Sequence, residues 1–207
     1  MKNYNSKGSF ESKEIKLPSP KKEGKISLET LLDNRKSIRT YVPGALTLQQ
    51  VSQTLWASSG KNRWAKLTVP SAGACYPLAI YIVAGQIEGV QKGLYRYNCE
   101  GHSLRCINTE DIRSPLCRAC LNQAWIKNAA AILIICADYQ MTTSHYGARG
   151  RRYVDIEIGH AGQNVYLEAT ALGLGTVAIG AFADEEVKEI LRIPETPLYL
   201  MPLGRLK

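Results

Sequence analysis

Apolar residues recur along this chain in two rhythms, one near every third or fourth position and one in short unbroken runs, and between them they predict most of its elements. Leu28, Leu31 and Leu32 follow Ser27, whose hydroxyl suits an N-cap, and predict a short helix with the leucines inward, ending near Asn34. After Pro43 and Gly44, Thr47 with Gln50 three residues on makes a capping box. Leu48, Val51, Leu55 and Trp56 then carry a second helix as far as Gly60. Residues 61–77 show no usable period and predict a loop. Residues 78–84 are a short β-branched run between Pro77 and Gly85, hence a buried strand. Residues 93–97 and 103–107 flank a turn containing Gly101 and predict a hairpin.

Farther on, residues 110–128 read as helical, with Ile112, Leu116, Ala119 and Cys120 on one side. Residues 129–137 are the most apolar strand candidate and are expected near the centre of the sheet. Residues 139–152 are polar and broken by glycine, and carry no assignment. From 153 to 172 runs the longest helical pattern, dotted with Gly159, Ala161, Gly162, Ala169 and Ala171, small residues that let neighbouring elements approach closely. Gly173 to Thr176 end it, 177–181 reads as a strand, Asp184 is expected to cap a helix bearing Val187, Ile190 and Leu191, and 197–203 is a last strand. A hairpin amid strands with helices elsewhere predicts an α+β fold with a mixed sheet.

Composition changes this picture only at the ends. At 207 residues, 45% apolar and 21% charged, the chain fits one soluble domain, and it has no run of the ~20 apolar residues that a membrane span requires. No apolar segment follows the N-terminal lysines as in a secretory signal, which leads to the expectation of a cytoplasmic protein. Seven Lys against three Glu fall in residues 1–25, so that segment supplies half of the net charge of +8. It is expected to form a flexible basic arm, with one domain over 26–207. The other half of the excess is spread without a basic stripe, which argues against a dedicated nucleic-acid surface.

The chemistry-bearing groups are few. Cys117 and Cys120 form a lone Cys-x-x-Cys, open to a redox role or to a helix with small buried thiols, and the three histidines lack metal-ligand spacing, so no metal is expected. Arg35-Lys36-Ser37-Ile38-Arg39 offers three cations and a hydroxyl at a helix end; it is an anion site in outline or a solvated terminus. Gly173-x-Gly175 does not make a dinucleotide turn, because here a helix runs into the glycines and a strand follows, the reverse of the phosphate-binding order. No serine-protease-like triad, zinc-hydrolase motif or carboxylate pair appears, which disfavours hydrolysis but not cofactor chemistry.

Taken together, Arg35-x-Ser37-x-Arg39, Pro70-Ser71-Ala72-Gly73-Ala74 with Tyr76-Pro77 before a strand, and Gly173-Leu174-Gly175-Thr176 through Gly180 after a small-residue helix resemble the nitroreductase family. The Pro-Ser-Ala-Gly-Ala-x-Tyr-Pro form, the run from Glu157 to Asn164 and the short ending resemble its SagB-type dehydrogenase branch. The resemblance covers about residues 26–207. It implies an α+β fold with a mixed, largely antiparallel sheet flanked by helices, and an obligate homodimer with FMN at the subunit interface. By the same resemblance Arg35 and Ser37 hold the phosphate or ribityl end, with Lys36 between them, and Arg39 lies near the pyrimidine edge. Pro70, Ser71, Ala72 and Gly73 come from the other subunit onto the ring. The backbone of Ala178, Ile179, Gly180 and Ala181 lines the opposite side, and Arg205 completes the phosphate clamp, with Lys207 a lesser candidate. Gln123 stands either as a polar amide near the flavin or as a helix end.

The implied activity is electron transfer from NAD(P)H through FMN to a small organic acceptor, nitro, quinone or similar, in a ping-pong cycle. One alternative is a flavin-dependent dehydrogenase of peptide azolines or another natural product, whose members tend to have Lys-Tyr where His145-Tyr146 stands here. The histidine is a candidate base near neutral pH or a surface loop residue. A second alternative, from another class, is a non-catalytic basic binding protein on the same fold.

Overall fold

The computed structural model describes residues 14–207. Seven strands form one sheet: β1 (Glu14–Lys16), β2 (Leu78–Ala84), β3 (Gly93–Asn98), β4 (Ser103–Asn108), β5 (Ala131–Ala137), β6 (Leu174–Thr176) and β7 (Thr196–Arg205). Their spatial order is β1-β4-β3-β2-β5-β7-β6, and every strand pairing is antiparallel, so the sheet is not mixed. The reason is topological. The long excursion from β5 to β6 returns the chain in the same direction, but β7 lies between them and no parallel pair forms.

The helices are α1 (Leu28–Asn34), α2 (Leu48–Ser59), α3 (Arg113–Ala119), α4 (Ala124–Asn128), α5 (Tyr139–Tyr146), α6 (Arg149–Ala171) and α7 (Asp184–Leu191). On one face of the sheet, Ile80, Ile82, Leu133 and Ile135 meet Val51 and Leu55 of α2 and Val154, Ile158 and Val165 of α6. On the other, Tyr81, Val83, Ile132 and Ile134 meet Leu116, Ile126, Val187 and Leu191 from α3, α4 and α7. Successive residues of a strand point to opposite faces, so only a strand covered on both sides can be apolar throughout. All seven residues of β5 are buried, as that rule requires of its unbroken apolar run.

Several boundaries differ from the sequence-based expectation, each for a local reason. The expected arm divides. Residues 1–13 lie outside the described residues, whereas Glu14–Lys16 pairs with β4 as an edge strand and Leu17 is buried. Two apolar residues among lysines were too few to outweigh the segment's composition. The helix expected over 110–128 is two helices, broken where Leu121 and Asn122 adopt positive φ of 56° and 57°. The unassigned stretch holds α5, capped by Asp138, and the first turn of α6. Gly150 is in that first turn, and a Cβ there would stand 2.8 Å from Thr143 of α5, so the residue that breaks the pattern permits the close crossing. Residues 177–181 are not a strand: β6 stops at Thr176 and only Ile179 bridges to Leu200. Asp184 lies inside the first turn of α7 rather than capping it; with Glu185 and Glu186 it puts negative charge at the helix's positive end. Lastly, α1 buries no residue, and Leu28 and Leu32 stand 57% and 50% exposed instead of facing inward.

Candidate functional site

The capped end of α1 delivers the basic run to one edge of the sheet. The N–H of Ile38 donates to the Thr176 carbonyl at 2.8 Å, which fastens residues 35–39 alongside β6. Close contact there requires Gly175, where a Cβ would lie 2.9 Å from Ile38 and 2.8 Å from Leu206. The Arg35 guanidinium stacks 5.1 Å above the Tyr166 ring, and the Ser37 hydroxyl bonds the Tyr166 hydroxyl at 2.9 Å. Tyr166, on the last turns of α6, also accepts the Ala178 N–H at 2.8 Å. One phenol therefore joins the basic run to the small segment after β6.

Arg39 lies over the Trp125 ring at 5.6 Å. Gln123 donates through Nε2 to the Ala181 carbonyl at 3.1 Å, bringing the end of that segment to the same side. Val42 bridges Arg205, whose side chain lies against Gly44; a Cβ there would stand 2.9 Å from Nη1. Arg35, Lys36, Ser37, Arg39, Gln123, residues 178–181 and Arg205 thus gather along one edge. None of the four cations makes an ion pair among the described residues. Like charges gathered without carboxylates make this edge attractive to an anion.

Pro70, Ser71, Ala72 and Gly73 are elsewhere. The Ser71 hydroxyl accepts the Tyr76 N–H at 2.9 Å, and Gly73, at φ 59°, leaves room for the Tyr146 hydroxyl, which would stand 2.6 Å from a Cβ. His145 packs edge-on to Tyr146 at 4.6 Å, so this pair belongs with the loop. The same loop faces Tyr153, Glu157 and His160 of α6 across a cavity of about 260 Å³. Glu157 and Tyr166 are nine residues apart on one helix, which separates the two groups by about 13 Å along its axis. The two groups of candidate residues therefore lie apart in a single chain, one beside the first half of α6 and one beside its last turns.

The first group fits a flavin's polar end. Besides the free cations, the Trp125 indole N–H beneath Arg39 and the Thr176 hydroxyl are buried without a partner. A buried unsatisfied donor costs about 1–3 kcal/mol, so an acceptor-rich group in this position would be stabilised. In the segment 178–181 Ile179 turns its side chain into the core, and Ala178, Gly180 and Ala181 add little or no side chain. Tyr166 and Trp125 had escaped the sequence reading, because a single aromatic in a helix carries no period of its own. Cys117 and Cys120 are not part of the site: Cys120 is buried, and burial pushes its thiol up to about 12, while Cys117 rests on the Gln123 carbonyl. The thiolate that redox exchange needs is suppressed at Cys120.

The nitroreductase family model matches residues 32–205. Over 194 residues, 93% of this chain and 96% of the relative, the sequence is 50% identical to a Methanocaldococcus jannaschii protein that carries a provisional nitroreductase name. It is 30% identical to the NADPH-flavin oxidoreductase of Vibrio harveyi over 108 residues, 47% of this chain and 45% of that one. A crystal structure described as a nitroreductase from Ralstonia eutropha superposes with a TM-score of 0.81 at 26% identity, covering 94% of this chain and 90% of that one. With the family model spanning the whole basic run, both groups of candidate residues and nearly all of the sheet, the chain belongs to the nitroreductase family.

Proposed function

We propose that the protein is an FMN-dependent oxidoreductase that passes electrons from NAD(P)H to a small organic acceptor, working as a homodimer. The observation that carries the reading is the unpaired cluster of Arg35, Lys36, Arg39 and Arg205 beside an orphaned Trp125 N–H, in a chain of this family. The similarity to an NADPH-flavin oxidoreductase supports the choice of cofactor and reductant. When bound, the flavin supplies hydride chemistry that no side chain here can, accepting two electrons from the nicotinamide and yielding them to the acceptor. The residues bind and orient. Arg35 and Ser37, braced by Tyr166, hold the phosphate end, and Arg205 is offered as a second cation for it. Arg39 stabilises negative charge at the ring's polar edge. Residues 178–181, tied back by Gln123 and Tyr166, present backbone and exclude bulk.

The dimer is supported by the separation of the two groups. Pro70 to Gly73 stand apart from the cation cluster of their own chain, and in the proposed dimer they serve the cluster of a second copy. Exposed Leu28, Leu32, Met141 and Ile156 supply apolar surface for such a contact. The visible spectrum of purified protein tests the reading: flavin absorbance, retained or taken up on adding FMN and bleached by NADPH, is expected. A protein that stays colourless with FMN present would overturn it. Residues 61–66 and 139–152, where acceptor choice is expected to reside, decide between nitro or quinone compounds and natural-product substrates. Comparing NADPH consumption with oxygen consumption on a peptide azoline separates these two.

A further inference from the structure

In the middle of the sheet one pairing stops short. β2 and β3 are paired from Ala84 with Gly93 as far as Tyr81 with Arg96, and the same register would run on through Ile80 with Tyr97 to Leu78 with Cys99. Those pairs are absent, although on their outer sides β2 keeps β5 down to Leu78 and β3 keeps β4 up to Asn98. Between residues 78–80 and 96–99 lies a cavity of about 410 Å³, bordered by Ser59 at the end of α2 and by Arg105 and Glu14. The Pro77 carbonyl accepts the Asp138 N–H on the β5 side, so by alternation the peptide groups of Leu78 and Ile80 turn towards the gap. An open strand edge is a template for another extended chain.

The charges at the cavity select which part of such a chain enters. Tyr81, Arg96, Arg105 and Glu14 stand opposite one another across four strands, and cross-strand partners share a face. Two guanidiniums are thereby set side by side. Arg96 pairs with Glu195 at 2.9 Å, while Arg105 makes no ion pair among the described residues. Glu14 is engaged elsewhere: its carboxylate accepts from the Ser103 hydroxyl and the Asn98 amide. Like charges directly opposite one another weaken a sheet, and a carboxylate shared between two arginines turns that repulsion into attraction. We infer that the gap between β2 and β3 binds the carboxyl-terminal end of an extended peptide, its amides on the open edge of β2 and its terminal carboxylate on Arg105 and Arg96. At about 3.3 Å per residue, the open stretch 78–80 admits about three residues. The site is separate from the flavin reading. β2, β5 and β7 stand between the gap and β6, and no lining residue belongs to the basic run, the 70–73 loop or the exposed apolar surface.

Fluorescence polarisation with fluorescein-labelled Ala-Val-Ala-Val tests this on the full-length protein, with the same peptide as its C-terminal amide for comparison. The free acid should bind about tenfold more tightly than the amide, the effect of one charge-assisted contact. Arg105→Gln should bring the acid down to the amide's affinity and leave the amide unchanged. Methylating the backbone nitrogens of the peptide removes strand hydrogen bonds but keeps the charge, and it should abolish binding of both forms. No binding at about millimolar protein, equal affinity of acid and amide, or an unchanged preference in R105Q would each overturn the inference. So would an N-methylated acid that binds as well as its parent, since surface charge alone would then hold it. Should R105Q fail to fold, the acid, amide and methylated peptides on the unaltered protein decide the matter.

Discussion

Tyr166 shows how one residue can decide the geometry of a site without carrying charge. Its hydroxyl takes the Ala178 N–H and bonds Ser37, and its ring supports Arg35, so a single group positions all three together. Removing the hydroxyl leaves a buried N–H without its acceptor, at about 1–3 kcal/mol. Tyr166→Phe should therefore cost a comparable amount of thermal stability and raise the FMN dissociation constant about tenfold, measured by flavin fluorescence. The two arginines should separate. Arg35 lies with Ser37 at the phosphate half, so Arg35→Ala should weaken FMN retention tenfold or more while the cofactor that remains still reacts normally. Arg39 lies over Trp125 and is assigned to the ring's polar edge in the proposed site, so Arg39→Ala should chiefly slow flavin reduction by NADPH in stopped flow. Equal effects of both substitutions on both measurements would argue against the division.

Among the elements, the segment around β1 behaves as a strap rather than an arm. Lys21 and Gln53 exchange two hydrogen bonds of 2.8 Å, and His102 is the knot. Its Nε2 meets Ser52 at 2.7 Å and the Pro18 carbonyl at 3.0 Å, and its Nδ1 meets the Tyr97 hydroxyl at 2.9 Å. With Nε2 protonated and Nδ1 accepting from Tyr97, every bond is satisfied by the neutral ring. Burial, assisted by nearby Lys16, lowers the His102 pKa. A lowered folded-state value means that the unfolded chain binds the extra proton first. The stability this residue contributes is present above the ordinary imidazole value near 6.5 and is lost as pH falls below it. Hydrogen exchange of the β1 and β4 amides should accelerate between pH 7 and 5.5, and His102→Ala should remove that pH dependence while costing about 2 kcal/mol at pH 7.5.

For the whole molecule, the controlling fact is that the two groups of candidate residues lie apart along α6. Exposed Leu28 and Leu32 on α1, together with Ile156 on α6, leave apolar surface that a monomer would present to water. On the proposed dimer, replacing Leu28 and Leu32 together by Ser should shift sedimentation from dimer to monomer and release bound flavin in the same step. A variant that sediments as a monomer yet keeps its flavin would break the link between dimer and site.

Much of this was legible in the sequence because the information was local. Alternation and helical spacing encode which residues of one element share a face, so β2, β5, α2 and the body of α6 could be read directly, as could the basic run and the small segment after Gly173. The signal failed where one residue must answer to a distant one. Gly150 reads as a break and proves to be a crossing, Leu28 and Leu32 read as core and lie outside, and Ile15 and Leu17 disappear among lysines. Tertiary structure alone brought Ser37 to Tyr166 across 129 positions, set Arg39 over Trp125, and left Glu157 buried without the cation that Glu195 has. Periodicity records how a segment meets its own neighbours, whereas a site is made by packing segments whose separation along the chain carries no pattern.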